Sequence, residues 1–408
     1  MRTNGEYAQH PKGAEAQFAA EDRDELLQYE LTARQEELRN RTRELAEEKF
    51  RPRALEWERT GEFPWENIQA LADAGLIGMS VPVEFGGGGG TWLDAAVILE
   101  EISRTCYTTA MAALGELGVQ TRALAVYGTE AVKRKYLPLI AEGKLICSVC
   151  ITEPDTGSDL NALQTTATSS NNSYLISGKK ALISRGDVAQ LFVVYVRYDG
   201  KPGSSGVGAI LVERDTPGVS IGEAQPTLGG ESLYEITFEN CLVPTSNVLV
   251  EAGGLTRMLT AFNGQRTLNA AISVGIAQGA QDAAVIYSSH RHQGGRPINE
   301  YQGIGWMLAD NAIQIEAARL LVRRAAARAG AGFPSRYEAA VAKTLANEMA
   351  LTVTDNVMQI FGGHGWLQKN SAERYLRWAR YGPLGGGTPQ VQRNGIARHL
   401  LKSAEGML

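Results

Sequence analysis

Cysteine is scarce in this chain, with four in 408 residues. That scarcity excludes a disulfide-stapled fold of the kind small secreted domains use. Two of the four stand as Cys147-x-x-Cys150, the one arrangement with a metal or redox look. The surrounding run, Leu145-Ile146-Cys147-Ser148-Val149-Cys150-Ile151, is short, apolar and β-prone. Residues three apart on a strand point to opposite faces, so these thiols cannot readily pair or share an ion. No second pair or nearby histidine completes a zinc set, so both cysteines read as packing residues and no metal is expected. Apolar runs of membrane-spanning length are missing as well, so no membrane insertion is expected. The first twenty residues hold no apolar signal core and are broken by Gly5, Pro11 and Gly13. They predict a disordered tail over 1–20 and a cytoplasmic protein. Excess positive charge is also lacking: at a net charge of −5 there is no electrostatic reason to expect nucleic acid or an anionic membrane as partner.

What is present describes an ordinary globular chain, 44% hydrophobic and 21% charged, long enough for two or three cored units. From 21 to 146 the texture is helical. Leu26, Leu27, Leu31, Leu38, Leu45 and Leu55 recur at near-helical spacing in a charge-rich segment. Phe63-Pro64-Trp65 opens a further helix that Gly75 interrupts, and the glycine run 86–90 leads into a helix over 91–104. No Gly-Lys-Ser/Thr follows those glycines, which makes them a positioning loop and not a phosphate loop. From 147 to 250 the residues are rich in Thr, Val, Ser and Gly, in short runs between turns such as Asn171-Asn172-Ser173. Such a segment predicts a small β-barrel or sandwich. From 251 to 408 helical texture returns, broken near Gly294, Gly330, Gly362 and Gly382. The order is helices, then strands, then a helix bundle.

The motifs sharpen this. Ile151-Thr152-Glu153-Pro154-Asp155-Thr156-Gly157-Ser158-Asp159 places hydroxyls and backbone N–H groups on one turn, suited to a polar ring edge or a phosphate. Arg291 and Gln302 flank a glycine turn, Gln359 and Gly363 sit in Gln359-Ile360-Phe361-Gly362-Gly363, and Gly386-Gly387-Thr388-Pro389-Gln390 precedes the last helix. In this order and spacing, over about 63–401, they resemble the acyl-CoA dehydrogenase family. The resemblance implies an α+β, mainly α fold: an N-terminal helical domain, a middle β-barrel and a C-terminal four-helix bundle. It implies FAD as cofactor, held by Ile151, Thr152, Gly157, Ser158, Leu182, Ser184, Arg291, Gln302, Thr388 and Gln390. Gln359 and Gly363 would be lent by a neighbouring subunit, so a homo-oligomer, by analogy a tetramer, is expected. An acyl thioester on coenzyme A or a carrier protein would meet Ser158, Asn263, Arg266 and Arg398.

Two departures matter. The family's aromatic residue beside the flavin is Leu182 here, although Ser184 keeps a hydroxyl for flavin N5. The glutamate that removes the substrate's α-proton is replaced by Gly386, and the alternative glutamate station before the conserved arginine is Gln265, an amide that does not ionise. Tyr381 is nearby, but a phenol of pKa about 10 needs strong activation to serve as a base. Four readings stay open at this level: oxidation of an acyl thioester by non-standard chemistry, elimination of a β-substituent as in the family's desulfinases, a monooxygenase or oxidase, and a non-catalytic flavoprotein. A desulfinase should want a cation in the acyl pocket, and the helix expected to face the acyl chain, from Cys106 to Met111, supplies none between Arg104 and Arg122.

Overall fold

The computed structural model describes residues 30–405; the tail expected over 1–20, with Leu26 and Leu27, lies outside them. The N-terminal part is helical. Helix α1 (Ala33–Leu45) starts at a Thr32 cap whose side chain and that of Gln35 cap each other's backbone. A π-helical turn, Ala46–Phe50, separates it from α2 (Ala54–Thr60), which Gly61 closes in the left-handed region at φ 68°. Then come α3 (Trp65–Asp73), α4 (Trp92–Ser103), α5 (Tyr107–Leu117), α6 (Val119–Tyr127) and α7 (Glu130–Ala141). Thr91 and Asp94 form a second capping box at the start of α4, directly after the glycine loop. Every residue of α5 is buried, so this helix is core on all sides.

The middle part is one nine-stranded sheet. Its strands are β1 (Cys147–Cys150), β2 (Thr166–Ser170), β3 (Ser173–Ser184), β4 (Leu191–Tyr198), β5 (Val207–Glu213), β6 (Val219–Ile221), β7 (Gln225–Pro226), β8 (Ser232–Pro244) and β9 (Val248–Val250). The order runs β6-β8-β3-β2-β4-β5-β9, with β1 parallel to β4 and β7 on β8. The period-two argument for β1 holds: Cys147 and Cys150 are buried in two separate hydrophobic clusters, and both thiols are free. Burial raises the pKa of both, that of Cys150 to about 12.

The C-terminal part comprises α8 (Leu255–His290), α9 (Gln302–Ala327), α10 (Arg336–Phe361), α11 (Ser371–Ala379) and α12 (Pro389–Glu405). Helix α8 runs 36 residues without a break despite Gly264, Gly275 and Gly279. The reason is close packing: a side chain at Gly264 would collide with the Trp92 ring, and one at Gly275 or Gly279 with the carbonyls of Glu100 or Arg104. These glycines let α4 lie against α8. Among the described residues no helix is long and apolar enough to cross a membrane.

Candidate functional site

The three parts meet around one cavity of about 560 Å3. Its β-side wall includes Ile151, Thr152, Gly157 and Ser158 from the turn after β1, and Leu182 and Ser184 from the end of β3. The turn is held from beneath. Lys180 Nζ donates to the Ile151 carbonyl at 3.1 Å and to Glu153 Oε1 at 2.9 Å, while Glu153 also accepts from the backbone N–H groups of Gln164 and Thr165. Both side chains of this ion pair are buried. Burial pulls Lys180 down to about 8, and burial raises Glu153 less than Lys180 and the N–H donors lower it. A side chain at Gly157 would meet nothing within 4 Å, which leaves that backbone open to a ligand.

Leu182 sits at φ 56°, where β3 and β8 slip register between Lys180 and Ile183. A bulky residue in the left-handed region stores roughly 1–3 kcal/mol of strain. The bulge turns Leu182 into the cavity with 57% of its surface exposed. The Ser184 carbonyl accepts from Ser148 Oγ at 2.7 Å, and its hydroxyl has no partner among the described residues.

The opposite wall is the Gly382–Gly387 loop and α8. Gly386 lines the cavity at φ 73°, followed by Gly387 and Thr388. The loop is gripped by its carbonyl oxygens. Lys343 Nζ and Asn347 Nδ2 donate to the Gly382 carbonyl at 2.8 and 2.6 Å, and Ser273 Oγ steadies Asn347 at 2.8 Å. Arg266 Nε reaches the Gly386 carbonyl at 3.3 Å, and Gln392 Nε2 the Gly387 carbonyl at 3.1 Å. Lys343 is fully buried, and desolvation, with Arg266 adding repulsion, lowers it to about 7. Arg266 is lowered by burial, and further by Arg336, to about 10, so it stays cationic at neutral pH. Gln265 also lines the cavity and accepts a long bond from the Val119 N–H at 3.5 Å.

Other expected residues stand elsewhere. Asn263 is buried and does not line the cavity; its side-chain oxygen accepts from Arg266 Nη1 at 2.6 Å. Gln390 and Arg398 lie exposed on α12, outside the lining. Arg291, Gln302, Gln359 and Gly363 are exposed together at one end of the bundle. There the Tyr287 ring stacks on Phe361 at 4.1 Å, and the Tyr287 hydroxyl meets His364 Nδ1 at 2.9 Å, which gives that histidine a structural role. Gly294 turns the adjoining hairpin at φ 60°.

The lining also holds residues that sequence reading did not single out: Arg185, Glu231, Arg377 and Arg380, with Tyr107 on α5. The helix from Cys106 to Met111 supplies no cation, whereas arginines reach the cavity from the residue after β3 and from α11 and its C-terminal end. Arg185 is spent on Glu116 at 2.6 Å and on the carbonyls of Ala112 and Cys147. Arg377 is held by Glu58, Glu373 and the Leu228 carbonyl. Arg380 is exposed and makes no ion pair among the described residues. A warning for Lys343 was present in the sequence: it is one cation in the small-residue run Ala339-Ala340-Val341-Ala342-Lys343-Thr344-Leu345-Ala346, which marks a closely packed face.

Comparison with known proteins matches the fold and the order of its three parts. Family models described as the acyl-CoA dehydrogenase N-terminal, middle and C-terminal domains match residues 32–144, 148–241 and 252–401. A 3-sulfinopropanoyl-CoA desulfinase of Variovorax paradoxus is 38% identical over 387 residues, covering 91% of this chain and 96% of that protein. A short-chain specific acyl-CoA dehydrogenase of Clostridium acetobutylicum is 36% identical over 370 residues, covering 90% and 98%. The solved butyryl-CoA dehydrogenase from Megasphaera elsdenii superposes with a TM-score of 0.88 at 32% identity, covering 91% of this chain and 99% of that one. With all three domain models matched in order, the chain belongs to the acyl-CoA dehydrogenase family.

Proposed function

We propose that this chain is an FAD-dependent enzyme of acyl thioesters, carried on coenzyme A or a carrier protein, whose chemistry does without a glutamate in the Gly382–Gly387 loop. The observation that carries the reading is Gly386. It faces the cavity with no side chain, in a loop held by its carbonyls at Gly382, Gly386 and Gly387. FAD, when bound, supplies the hydride-accepting chemistry at its N5.

The chain's own residues fit that cofactor. Thr152, Gly157 and Ser158 offer hydroxyls and open backbone, Ser184 a free hydroxyl, and Thr388 the opposite edge, while Gln390 would reach the group from outside this lining. Arg291 and Gln302 suit its pyrophosphate side, since a guanidinium is a fixed fork for phosphate oxygens. Gln359 and Gly363 would serve the site of a neighbouring copy. An exposed apolar face on α8 and α9 supports such an assembly: Val285, Ile286, Trp306, Ile313 and Leu320 are between 47% and 67% exposed. We assign it to a homotetramer, checked by light scattering.

On the acyl side, Arg266 supplies a permanent cation. Gln265 cannot take a proton. Burial holds the Tyr381 phenol well above its ordinary value, so it stays protonated and is no base. A second reading is elimination of an anionic β-substituent, as the name of the desulfinase relative suggests. It is favoured by Arg380, an exposed cation of the cavity wall that, like Arg266, makes no ion pair among the described residues.

The test mixes FAD-loaded protein anaerobically with butyryl-CoA and with 3-sulfinopropanoyl-CoA. The proposal expects yellow protein that butyryl-CoA bleaches slowly, at least about 100-fold below a glutamate-bearing relative. Sulfite release without net bleaching supports the elimination reading. Bleaching by butyryl-CoA at the relative's full rate refutes the main one, and colourless protein that cannot take up FAD refutes both.

A further inference from the structure

Glu231 stands in the cavity wall with one oxygen satisfied and one stranded. It follows Gly229-Gly230 between β7 and β8 and lines the same cavity as Gly386. Its Oε1 accepts from the Tyr107 hydroxyl at 2.8 Å. Its Oε2 is buried and has no hydrogen-bond partner among the described residues.

The arrangement is built, not incidental. A side chain at Gly229 would come within 2.5 Å of the Tyr107 ring and 2.6 Å of Glu231 Oε2, so glycine there makes room for the carboxylate beside the tyrosine. Tyr107 is fixed between two aromatic rings, Trp378 with centroids 6.0 Å apart and Tyr381 at 6.1 Å. Burial, reinforced by Glu231, holds the Tyr107 phenol far above its ordinary value, so it remains a donor and Oε1 remains its acceptor. No cation of the cavity lining forms an ion pair with Glu231 among the described residues, the exposed Arg380 included. Arg185 is occupied by Glu116 and two carbonyls, Arg377 by Glu58, Glu373 and the Leu228 carbonyl.

A stranded buried carboxylate oxygen is costly unless something donates to it. Tyr107 and Met111 of α5 and Tyr381 after α11 line the same cavity as Glu231, and Gly386 follows in the same segment as Tyr381. We propose that Glu231 is the specificity-determining residue of the acyl pocket, and that it selects an acyl chain carrying a hydrogen-bond donor, a hydroxyl or an ammonium, over a plain alkyl or an anionic chain. The inference rests on the acyl-thioester reading of the cavity. It deepens that reading by naming the class of acyl group, and it weighs against a sulfinate at this end of the pocket.

The experiment measures equilibrium binding to the FAD-loaded protein, through the perturbed flavin spectrum, for butyryl-CoA, 3-hydroxybutyryl-CoA, β-alanyl-CoA and succinyl-CoA. A hydrogen bond to a charged acceptor predicts that the hydroxyl or the ammonium ligand binds at least about tenfold tighter than butyryl-CoA. Succinyl-CoA should bind weakest, and whichever donor ligand is preferred identifies the group. In Glu231→Gln the preference should collapse to within about twofold, since the amide keeps the shape and loses the charge. In Tyr107→Phe, which unpins the carboxylate, it should fall several-fold, and this variant decides the matter if Glu231→Gln fails to retain FAD. Equal affinities for butyryl-CoA and both donor ligands, or a preference that survives Glu231→Gln, overturn the inference and leave the acyl-thioester reading standing. If no acyl-CoA perturbs the flavin, that reading falls and this one with it.

Discussion

Returning a carboxylate to the loop is the most searching perturbation, and Gly386→Glu does it at a position whose surroundings can be worked through. The backbone there has φ 73°, where a non-glycine residue costs roughly 1–2 kcal/mol. The new Cβ would lie 3.5 Å from Lys343 Cε and 3.8 Å from Phe262 Cε1, ordinary contact distances, so no overpacking adds to the strain. The expected fall in Tm is no more than about 5 °C. Arg266 and Lys343 stand beside the new group and favour its ionised form. That keeps it available as a proton acceptor but lowers its basicity. Positioned general bases contribute about 10²–10⁴-fold, and these cations place the gain at the lower end, about 100-fold. The assay is stopped-flow reduction of the bound flavin by butyryl-CoA without oxygen. A folded, FAD-loaded variant that bleaches no faster than the parent would refute the view that only the base is missing.

Three further outcomes are expected. Lys343 is depressed from 10.5 to about 7, so between those values the folded chain holds fewer protons than the unfolded one and stability rises with pH. The contribution between pH 7 and 9 is on the order of 2 kcal/mol. Melting curves at the two pH values should show that rise shrinking in Lys343→Met, and an unchanged rise would contradict it. Arg185→Met leaves Glu116 buried and unpaired, which should cost about 3–5 kcal/mol in urea unfolding, part of it recovered by adding Glu116→Gln. A loss under about 1 kcal/mol would show the pair to be unimportant. All four thiols are buried, so native protein should react with a thiol reagent only as fast as it unfolds, and one rapid equivalent would contradict the packing assignment.

Much of this architecture was legible because its causes are local. The helix start at Thr91 after the glycine run, the alternation of β1 and the glycine breaks between bundle helices act within a few residues, and the structure keeps them. Where the cause lies across the fold, the sequence is silent. Gly264, Gly275 and Gly279 read as weak points in a helix until the Trp92 ring and the α4 carbonyls are seen against them. The π-helical turn at Ala46–Phe50 carries no punctuation of its own. In the site, Thr152, Gly157, Ser184 and Gly386 were found because each belongs to a short motif. Glu231 and Arg185 were missed because their meaning depends on Tyr107 and Glu116, which lie 124 and 69 residues away.

The grip on the Gly382–Gly387 loop has one more consequence. Lys343, Asn347, Arg266 and Gln392 hold it by main-chain oxygens, which every amino acid possesses. The grip on the loop therefore does not depend on the side chain at 386, whose cost there is the roughly 1–2 kcal/mol of a left-handed backbone. A single substitution at 386 changes what faces the cavity while leaving the carbonyl contacts of the loop in place. What residue 386 presents to the cavity is thus an exchangeable part, set apart from the contacts that fold the walls around it.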